Sequence, residues 1–363
     1  MSRQHNFSAG PAALPHDVVQ ALGPNLIEFG QAGAGIMEIS HRSKHFDAVI
    51  EDTESRLRRL LSIPDDYAVL FLQGGASLQF TMAPMNLTSS VNPMGYILSG
   101  HWANRAHTEA LKLAHQAPVL WDGSAGNFSA LPADESTELS PPATHWVHYT
   151  SNNTIYGTQF KKAPTDSERL VADMSSDIAS KPIDVKRHAV IYAGAQKNLG
   201  PSGVTLVILS PEAVAASRGQ ESLPSMLNYG LQVDKGSMLN TPNTFGIFAL
   251  GKVLEWIESQ GGLSSIQERN EIKAARLYEE LDQSAFWSTT VSPRDRSTMN
   301  VTWGIHDTSL EPVFVAEAQE SGLLGLKGHR LIGGLRASIY NACSIKSVEA
   351  LIDFMRDFER RHG

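Results

Sequence analysis

Seven short and nearly continuous apolar runs in the first 210 residues most constrain how this 363-residue chain can fold. They span residues 67–72, 96–98, 117–121, 145–149, 169–173, 189–192 and 204–209. Helical patterns, such as those at Ser77–Met85 and Asn104–Ala114, fall between many of them. Strands without polar alternation are typical of parallel sheets with both faces covered, and alternation with helices indicates such a sheet. The sequence therefore predicts an α/β fold whose large domain is built on a mainly parallel seven-stranded sheet.

The pattern changes in the C-terminal part of the chain. An amphipathic helix predicted at Thr244–Ser259 is closed by Gly261-Gly262, and the segments beyond it mix helices and strands. The helices are predicted at 264–283, 311–321 and 345–361, and the strands at 299–303 and 335–340. This order predicts a smaller α+β C-terminal domain. We place the boundary near Gly261, so that the large domain spans residues 16–260 and the small domain residues 1–15 and 261–363.

Composition excludes several classes of protein. The single cysteine, Cys343, excludes a disulfide scaffold and a cysteine-rich zinc module. With 30 basic against 38 acidic residues the chain is a poor sequence-independent nucleic-acid binder, although a local basic pocket for a small anion is compatible with this balance. No apolar run approaches the ~20 residues that cross a bilayer, and the start of the sequence lacks the apolar core of a signal peptide. We therefore expect a cytoplasmic protein without nucleic-acid or membrane partners.

Other short motifs do not carry a function. The segment Gly246–Val253 fits GxxxxGK but lacks the Ser or Thr that a P-loop places after its lysine, and its pattern is helical. His145 and His148 are three residues apart on a predicted strand and face opposite sides, so they cannot share one metal ion. The segment Leu131–Ala143, rich in Pro, Ser and acidic residues, is typical of a surface loop. We expect no metal site.

A lysine and an aspartate follow two of the predicted strands. Lys197 lies just past the strand at 189–192, among Gly, Ala and Pro residues, and Asp173 ends the strand at 169–173. Taken alone, Lys197 is more simply a structural lysine, and Asp173 is equally well a helix or turn cap. Together at the carboxyl edge of one sheet they match what pyridoxal phosphate needs, a lysine for a Schiff base and an acid that keeps the pyridine nitrogen protonated.

Three further strand ends supply groups that suit the same cofactor. Gly74-Gly75-Ala76-Ser77 precedes a helical pattern, where free N–H groups and the helix dipole can hold a phosphate. Trp102, after the strand at 96–98, could stack on the pyridine face, and Thr154, after the strand at 145–149, could bond the ring hydroxyl. Each has an ordinary alternative: a tight turn, a core tryptophan and a turn threonine. Their agreement at successive strand ends favours the cofactor.

These residues lie in longer segments that resemble a known family. The segments are FSAGPAALP at 7–15, MEISHRS at 37–43, QGGASLQF at 73–80, GHWANRA at 100–106, DMSSDIASKPIDV at 173–185, IYAGAQKNLGPSG at 191–203, NTPNTF at 240–245 and LKGHRLIGGLRASIYNA at 326–342. With them the chain resembles, essentially end to end, the fold-type-I pyridoxal-phosphate enzymes and, more closely, the phosphoserine aminotransferase family of class V. The resemblance implies a transaminase that moves an amino group reversibly from L-glutamate to 3-phosphohydroxypyruvate, forming O-phospho-L-serine and 2-oxoglutarate in serine biosynthesis. The sequence leaves open the 4-phosphohydroxythreonine activity that some relatives use in pyridoxine biosynthesis.

The resemblance also implies roles for individual residues. Lys197 carries the cofactor and Asp173 faces its ring nitrogen. The other cofactor contacts it implies are Trp102 on the ring, Thr154 at the hydroxyl, Ala76, Ser77 and Gln196 at the phosphate, and Asn240 and Thr241 at the phosphate from the neighbouring subunit. The last two imply a homodimer with shared active sites. For the substrate, Arg336 clamps the α-carboxylate, and the distal anion is received by His41, Arg42, His329 and Arg330.

One position departs from part of the family, and other readings stay open. Some members carry an arginine where this chain has Ser77, so the remaining cations, or a lysine not yet identified, must neutralise the substrate phosphate. The nearest alternative is a related alanine–glyoxylate or serine–pyruvate aminotransferase. A cysteine desulfurase fits less well, because Cys343 has the surroundings of a packed small residue. An alternative from another class is a binding protein that keeps the fold but has lost turnover.

Overall fold

The computed structural model describes residues 3–89, 91–113, 116–132, 139 and 145–363. Most of the predicted loop Leu131–Ala143 lies outside these residues, as does Ala114 at the end of one predicted helix. The strands are β1 (His5–Asn6), β2 (Ala68–Leu72), β3 (Met94–Leu98), β4 (Val119–Asp122), β5 (Trp146–Thr150), β6 (Leu170–Asp173), β7 (His188–Gly194), β8 (Thr205–Leu209), β9 (Trp287–Ser288), β10 (Asn300–Ile305), β11 (Leu323–Leu324) and β12 (Leu335–Ser338). The helices are α1 (His16–Ile27), α2 (Lys44–Leu61), α3 (Gly75–Leu87), α4 (His101–Lys112), α5 (Pro211–Arg218), α6 (Tyr229–Asp234), α7 (Thr244–Ser259), α8 (Gly262–Asp282), α9 (Glu311–Glu320) and α10 (Ile345–His362).

The seven predicted strands of the first 210 residues form one sheet, in the order β2-β8-β7-β6-β5-β3-β4. Neighbours from β7 to β4 pair in parallel, whereas β8 runs antiparallel to both β7 and β2. The prediction of a mainly parallel sheet is therefore confirmed. Since β2 runs in the same direction as β7, every strand of this sheet except β8 ends at one common edge.

The local sequence explains these elements. Strands β3, β5, β6, β7 and β8 are buried at every residue, which is why their runs show no polar alternation. Ser43 and Ser344 cap α2 and α10, each accepting a hydrogen bond from a backbone N–H in the first turn of its helix. The segment Gly246–Val253 lies inside α7, so the exclusion of a P-loop is confirmed.

Apolar side chains form separate cores on the two faces of the sheet and a third among the C-terminal elements. The first face packs on α1, α2 and α7, and the other on α3, α4, α5 and α6. The third core joins α8, α9 and α10 to the small sheet β12-β10-β9, and Phe7 of the N-terminal segment is buried in it. Helix α8 serves two cores, since Leu263 and Ile266 pack in the first and Leu277 and Leu281 in the third. A domain boundary near Gly261 therefore stays a proposal.

A buried network of polar side chains joins the large sheet to the C-terminal elements. The Asn152 side-chain amide donates to Ser176 Oγ and to Asn300 Oδ1, both at 2.8 Å. Asn300 in turn donates to the hydroxyl of Tyr340 at 3.2 Å, and Tyr340 donates to the carbonyl of Ala9 at 2.8 Å. Because such groups must stay paired when buried, they fix one arrangement of the C-terminal elements over the sheet edge.

No helix in the described part of the chain is long and apolar enough to cross a membrane.

The buried ammonium group of Lys273 on α8 makes a second set of polar contacts. It donates to the carbonyls of Ile339, Tyr340 and Cys343 at 2.9, 2.8 and 2.9 Å, in the turn that follows β12. Burial lowers the pKa of Lys273 to about 8. The ammonium has three donors, and each is used on one carbonyl that no strand or helix satisfies.

We predict that Lys273→Met destabilises the protein, because the methionine fills the space but removes the ammonium donors, while the Tyr340 carbonyl keeps only the Cys343 N–H at 2.9 Å. Each unsatisfied carbonyl costs about 1–3 kcal/mol, so we expect a loss of at least ~2 kcal/mol in the free energy of unfolding. The shift of the urea midpoint measures it. The control is Lys346→Met, because Lys346 is exposed on α10 and its loss should stay within about 0.5 kcal/mol. Equal midpoints for both variants would contradict the prediction.

Candidate active site

The common edge of the large sheet gathers the predicted groups. Asp173 is the last residue of β6, and Lys197 lies in the turn after β7. The turn from β2 to α3, the turn from β3 to α4 and the loop after β5 open onto the same edge. Parallel strands concentrate ligand-binding loops at this edge in open α/β sheets.

Lys197 is half-buried beneath the N-terminal segment. A Cβ built on Gly10 would lie 3.5 Å from Cγ of Lys197 and 3.7 Å from Cγ of Gln196. The backbone N–H of Ala12 donates to the carbonyl of Gln196 at 2.9 Å, which holds this segment in place. Burial lowers the pKa of Lys197, the Asp173 charge opposes this, and the Arg336 charge adds to it. A lowered pKa makes a neutral amine more available near neutral pH.

Asp173 is only 5% exposed and is held by one neighbour. Its Oδ1 accepts from the backbone N–H of Ser175 at 3.0 Å and from the Ser175 hydroxyl at 2.6 Å. The same hydroxyl accepts from the Gly194 N–H at 3.1 Å, so its one proton must point to the carboxylate. Burial raises the pKa of Asp173, whereas the Lys197 charge and the Ser175 donors lower it. Among the hydrogen bonds of the described residues Oδ2 accepts none, which leaves it available to a cationic N–H.

The start of α3 offers an anion-binding end. Gly74 holds the N-cap in the left-handed conformation, with φ of 93°, and none of the described side chains caps the helix. Ala76 and Ser77 lie in the first turn, where backbone N–H groups have no acceptor inside a helix. Nearby, the side chain of Gln196 folds back on its own turn, since a Cβ on Gly194 would lie 2.6 Å from its Oε1.

Three predicted residues form one hydrogen-bonded chain. Trp102 Nε1 donates to Thr154 Oγ1 at 3.1 Å, and Arg336 Nη1 donates to the Thr154 carbonyl at 2.8 Å. Arg336 lies on β12, so this contact brings the C-terminal elements to the sheet edge. Its Nε is buried and has no partner among the described residues. A guanidinium suits a carboxylate, which takes two parallel hydrogen bonds.

Basic side chains extend from Arg336 towards α4. The ring centroids of His329 and His101 are 6.3 Å apart. Burial lowers the pKa of His329, and the charges of Arg336, His101 and Arg330 lower it further. The sequence prediction included His329 and Arg330 but not His101 or Arg105. The available signal was their spacing, because residues four apart at the start of a helix share one face.

Of the other four predicted residues, Thr241 lies beside the start of α3, because its carbonyl accepts a hydrogen bond from the Gln73 side chain at 3.2 Å. The four lie in the segment before α2 and in the loop before α7, and they are His41, Arg42, Asn240 and Thr241. The Thr244 hydroxyl donates to the Ile36 carbonyl at 3.4 Å, which places these two segments side by side. Among the described residues no hydrogen bond joins the four to Lys197, Asp173 or Arg336. Arg42, Asn240 and Thr241 are exposed in the single chain.

The structure also bears on two other kinds of site, a reactive cysteine and a metal centre. Cys343 is buried, and burial raises the pKa of its thiol to about 11, which is the state of an inert packed cysteine. In the part of the chain that the structure describes, no group of three His, Cys, Asp or Glu side chains is placed to hold a metal ion.

Comparisons with known proteins agree with this arrangement. The family model for aminotransferase class-V matches residues 4–351. Phosphoserine aminotransferases of Lysinibacillus sphaericus and Chromobacterium violaceum are 48% and 44% identical, over 99% and 100% of both chains. The solved phosphoserine aminotransferase of Bacillus circulans subsp. alkalophilus is 44% identical, with a TM-score of 0.95 over 99% of each chain. The PLP-bound enzyme of Trichomonas vaginalis is 32% identical, with a TM-score of 0.90 over 98% of this chain and 100% of the other.

The fold and the family model define a pyridoxal-phosphate-dependent transaminase of fold type I. Sequence identity of 44% and 48% along essentially the whole chain narrows this class to one family. The chain belongs to the phosphoserine aminotransferase family of the class-V aminotransferases.

The donor set fits pyridoxal phosphate. The free Oδ2 of Asp173 suits the protonated ring nitrogen, and Lys197 has a lowered pKa. The uncapped start of α3 suits the phosphate. Trp102 and Thr154 border the same space through their hydrogen bond.

We predict that Ser175→Ala weakens cofactor binding, because the hydroxyl that keeps Asp173 ionised is lost. The pKa of Asp173 should rise, so the acid limb of the pH profile of kcat/KM should move to higher pH. Losing one charge-assisted hydrogen bond should raise the Kd of pyridoxal phosphate about tenfold. Spectroscopic titration of the apoprotein measures this Kd.

The matched control is Ser180→Ala. Its hydroxyl is also buried but donates to the Asp177 carbonyl at 2.6 Å and does not touch Asp173. This variant should keep the wild-type Kd and acid limb. If Ser175→Ala left the acid limb in place, Ser175 would not govern the charge of Asp173.

Proposed function

We propose that the protein catalyses reversible amino transfer from L-glutamate to 3-phosphohydroxypyruvate, giving O-phospho-L-serine and 2-oxoglutarate. The observation that carries this proposal is the end-to-end identity with phosphoserine aminotransferases, together with Lys197 and Asp173 at the sheet edge, where the charge of each affects the pKa of the other. Both amino-acid substrates carry an α-carboxylate and a distal anion. One cleft that is cationic at two places can therefore accept both.

Pyridoxal phosphate, when bound, supplies the electron sink that makes the α-proton of an amino acid acidic. In our proposal Lys197 holds the cofactor at rest and then acts as general base towards this proton. Its lowered pKa favours the neutral amine that the base requires. Asp173 keeps the ring nitrogen protonated through the oxygen that Ser175 leaves free.

We propose that Arg336 binds the α-carboxylate of the substrate. Its Nη1 is occupied by the Thr154 carbonyl, while its buried Nε lacks a partner among the described residues. A carboxylate paired with this guanidinium would fix the Cα–H bond relative to Lys197. The charge of Arg336 also lowers the pKa of Lys197, so the two residues lie within electrostatic reach.

We propose a homodimer with shared active sites. In one chain Asn240, Thr241 and Arg42 are exposed, although the resemblance assigns them to cofactor and substrate. Exposed apolar side chains accompany them: Ile27 is 82% exposed and Met37 60% exposed. An apolar surface next to unused polar donors is typical of a subunit interface. The partner's copies of these residues would then complete each site.

The cytoplasmic location stays a prediction.

We predict a strong preference for the phosphorylated donor. With 2-oxoglutarate as acceptor, kcat/KM for O-phospho-L-serine should exceed that for L-serine by about two orders of magnitude or more, because the distal cations would lack their anion. Coupled assay of the glutamate formed measures both rates. Comparable rates with L-serine would instead favour the alanine–glyoxylate or serine–pyruvate type.

A variant of Lys197, measured in the same assays, tests the mechanism itself. Lys197→Ala should lose activity by at least about three orders of magnitude, because both the cofactor link and the base are removed. Lys235→Ala removes an exposed lysine after α6 and should stay near wild type. Near-normal turnover by Lys197→Ala would contradict the mechanism.

We predict that two inactive chains restore each other. Lys197→Ala and the double variant Asn240→Ala/Thr241→Ala should each be weakly active alone. After mixing and subunit exchange, half of the dimers are mixed and each holds one intact site, so activity should return to about a quarter of wild type. Recovery no greater than the sum of the separate activities would show that each chain completes its own site. Light scattering on the same samples gives the oligomeric state.

A further inference from the structure

Two basic side chains at the start of α4 have no place in the roles assigned so far. His101 is the first residue of α4, next to Trp102, and Arg105 follows one turn later. The His101 ring lies 5.1 Å from the Trp102 ring and 6.3 Å from the His329 ring, measured between centroids. His101 therefore bridges the residue assigned to the cofactor ring and one assigned to the distal anion.

These groups form a row that leads away from Lys197. Arg336 lies close enough to Lys197 to lower its pKa, and His329 is close enough to Arg336 to be affected in the same way. His101 follows, with its pKa lowered by burial and by the charges of Arg105 and Arg330. A substrate that places its α-carboxylate on Arg336 would extend its distal end along this row.

The backbone orients one member of the row. The N–H of Leu331 donates to Nδ1 of His329 at 3.3 Å. In the neutral imidazole the proton then lies on Nε2, which becomes a hydrogen-bond donor. The loop that carries His329 is closed on itself, because the Ile332 and Gly333 N–H groups donate to the His329 carbonyl at 3.0 and 2.9 Å.

We propose that His101 and Arg105 bind the substrate phosphate together with His329 and Arg330. The assignment rests on the proposed function and adds the groups that Ser77, which carries no charge, does not supply. A phosphate near neutral pH carries close to two negative charges and three acceptor oxygens, whereas the distal carboxylate of glutamate carries one charge and two oxygens. The additional hydrogen-bond donors and the charge of Arg105 therefore serve phosphoserine more than glutamate, and they set the preference between the two donors.

The test compares two donors on the same variants of the holoenzyme. Arg105→Met and His101→Gln should each lower kcat/KM for O-phospho-L-serine about tenfold, mainly through KM. For L-glutamate the change should stay within about threefold, because the carboxylate uses fewer donors. Arg105→Lys keeps the charge and should retain most of the phosphoserine rate.

Lys112→Met is the matched control. It removes one positive charge from the same helix, at its far end, where Lys112 pairs with Glu109 at 2.8 Å. Its ratio of kcat/KM values for the two donors should equal that of wild type. An unchanged ratio in both Arg105→Met and His101→Gln, or equal losses with both donors, would overturn the assignment. A wild-type enzyme without preference for phosphoserine over serine would instead refute the proposed function, so the two failures are distinct.

Discussion

The buried carboxylate of Asp173 is the constraint on which the rest of the site depends. A charge this deep is costly, and the chain offsets the cost with two donors from Ser175 and with the nearby charge of Lys197. The same pairing leaves one carboxylate oxygen without a partner among the described residues. Because β6 and β7 are parallel neighbours, the carboxylate and the lysine leave the sheet at the same edge. The sheet therefore fixes the electrostatics of the site before any ligand binds.

The C-terminal elements complete this edge through hydrogen bonds and not through apolar packing alone. Arg336 reaches the Thr154 carbonyl from β12, and β10 is tied to the large sheet by the contact between Asn152 and Asn300. Lys273 holds the turn after β12 from behind. Asn152, Asn300 and Lys273 are buried and Arg336 is half-buried, so shifting the C-terminal elements would leave several polar atoms unpaired. Polar pairing of this kind positions the arginine more precisely than apolar contacts could.

The sequence predicted most of the fold because its strongest signals are local. Strands β3 and β5 to β8 are buried at every residue, and their runs are correspondingly apolar. Lys197, Asp173 and Arg336 could be placed because each is tied to a strand. The antiparallel direction of β8 could not be predicted, since pairing direction leaves no mark on a fully buried strand. His101 and Arg105 escaped because their role depends on His329, which is distant in sequence and close only in the fold.

The overall charge of the chain and the charge of the site have opposite signs, and the fold explains how both hold. The formal net charge is −8, yet the row from Arg336 to Arg105 includes the charges of Arg336, Arg330 and Arg105. Arg336 comes from β12, His329 and Arg330 from the loop before it, and His101 and Arg105 from α4. Only the docking of the C-terminal elements on the sheet edge brings them together. Local fields in clefts decide what binds, so an acidic protein can select a doubly charged anion once its separate arginines and histidines converge.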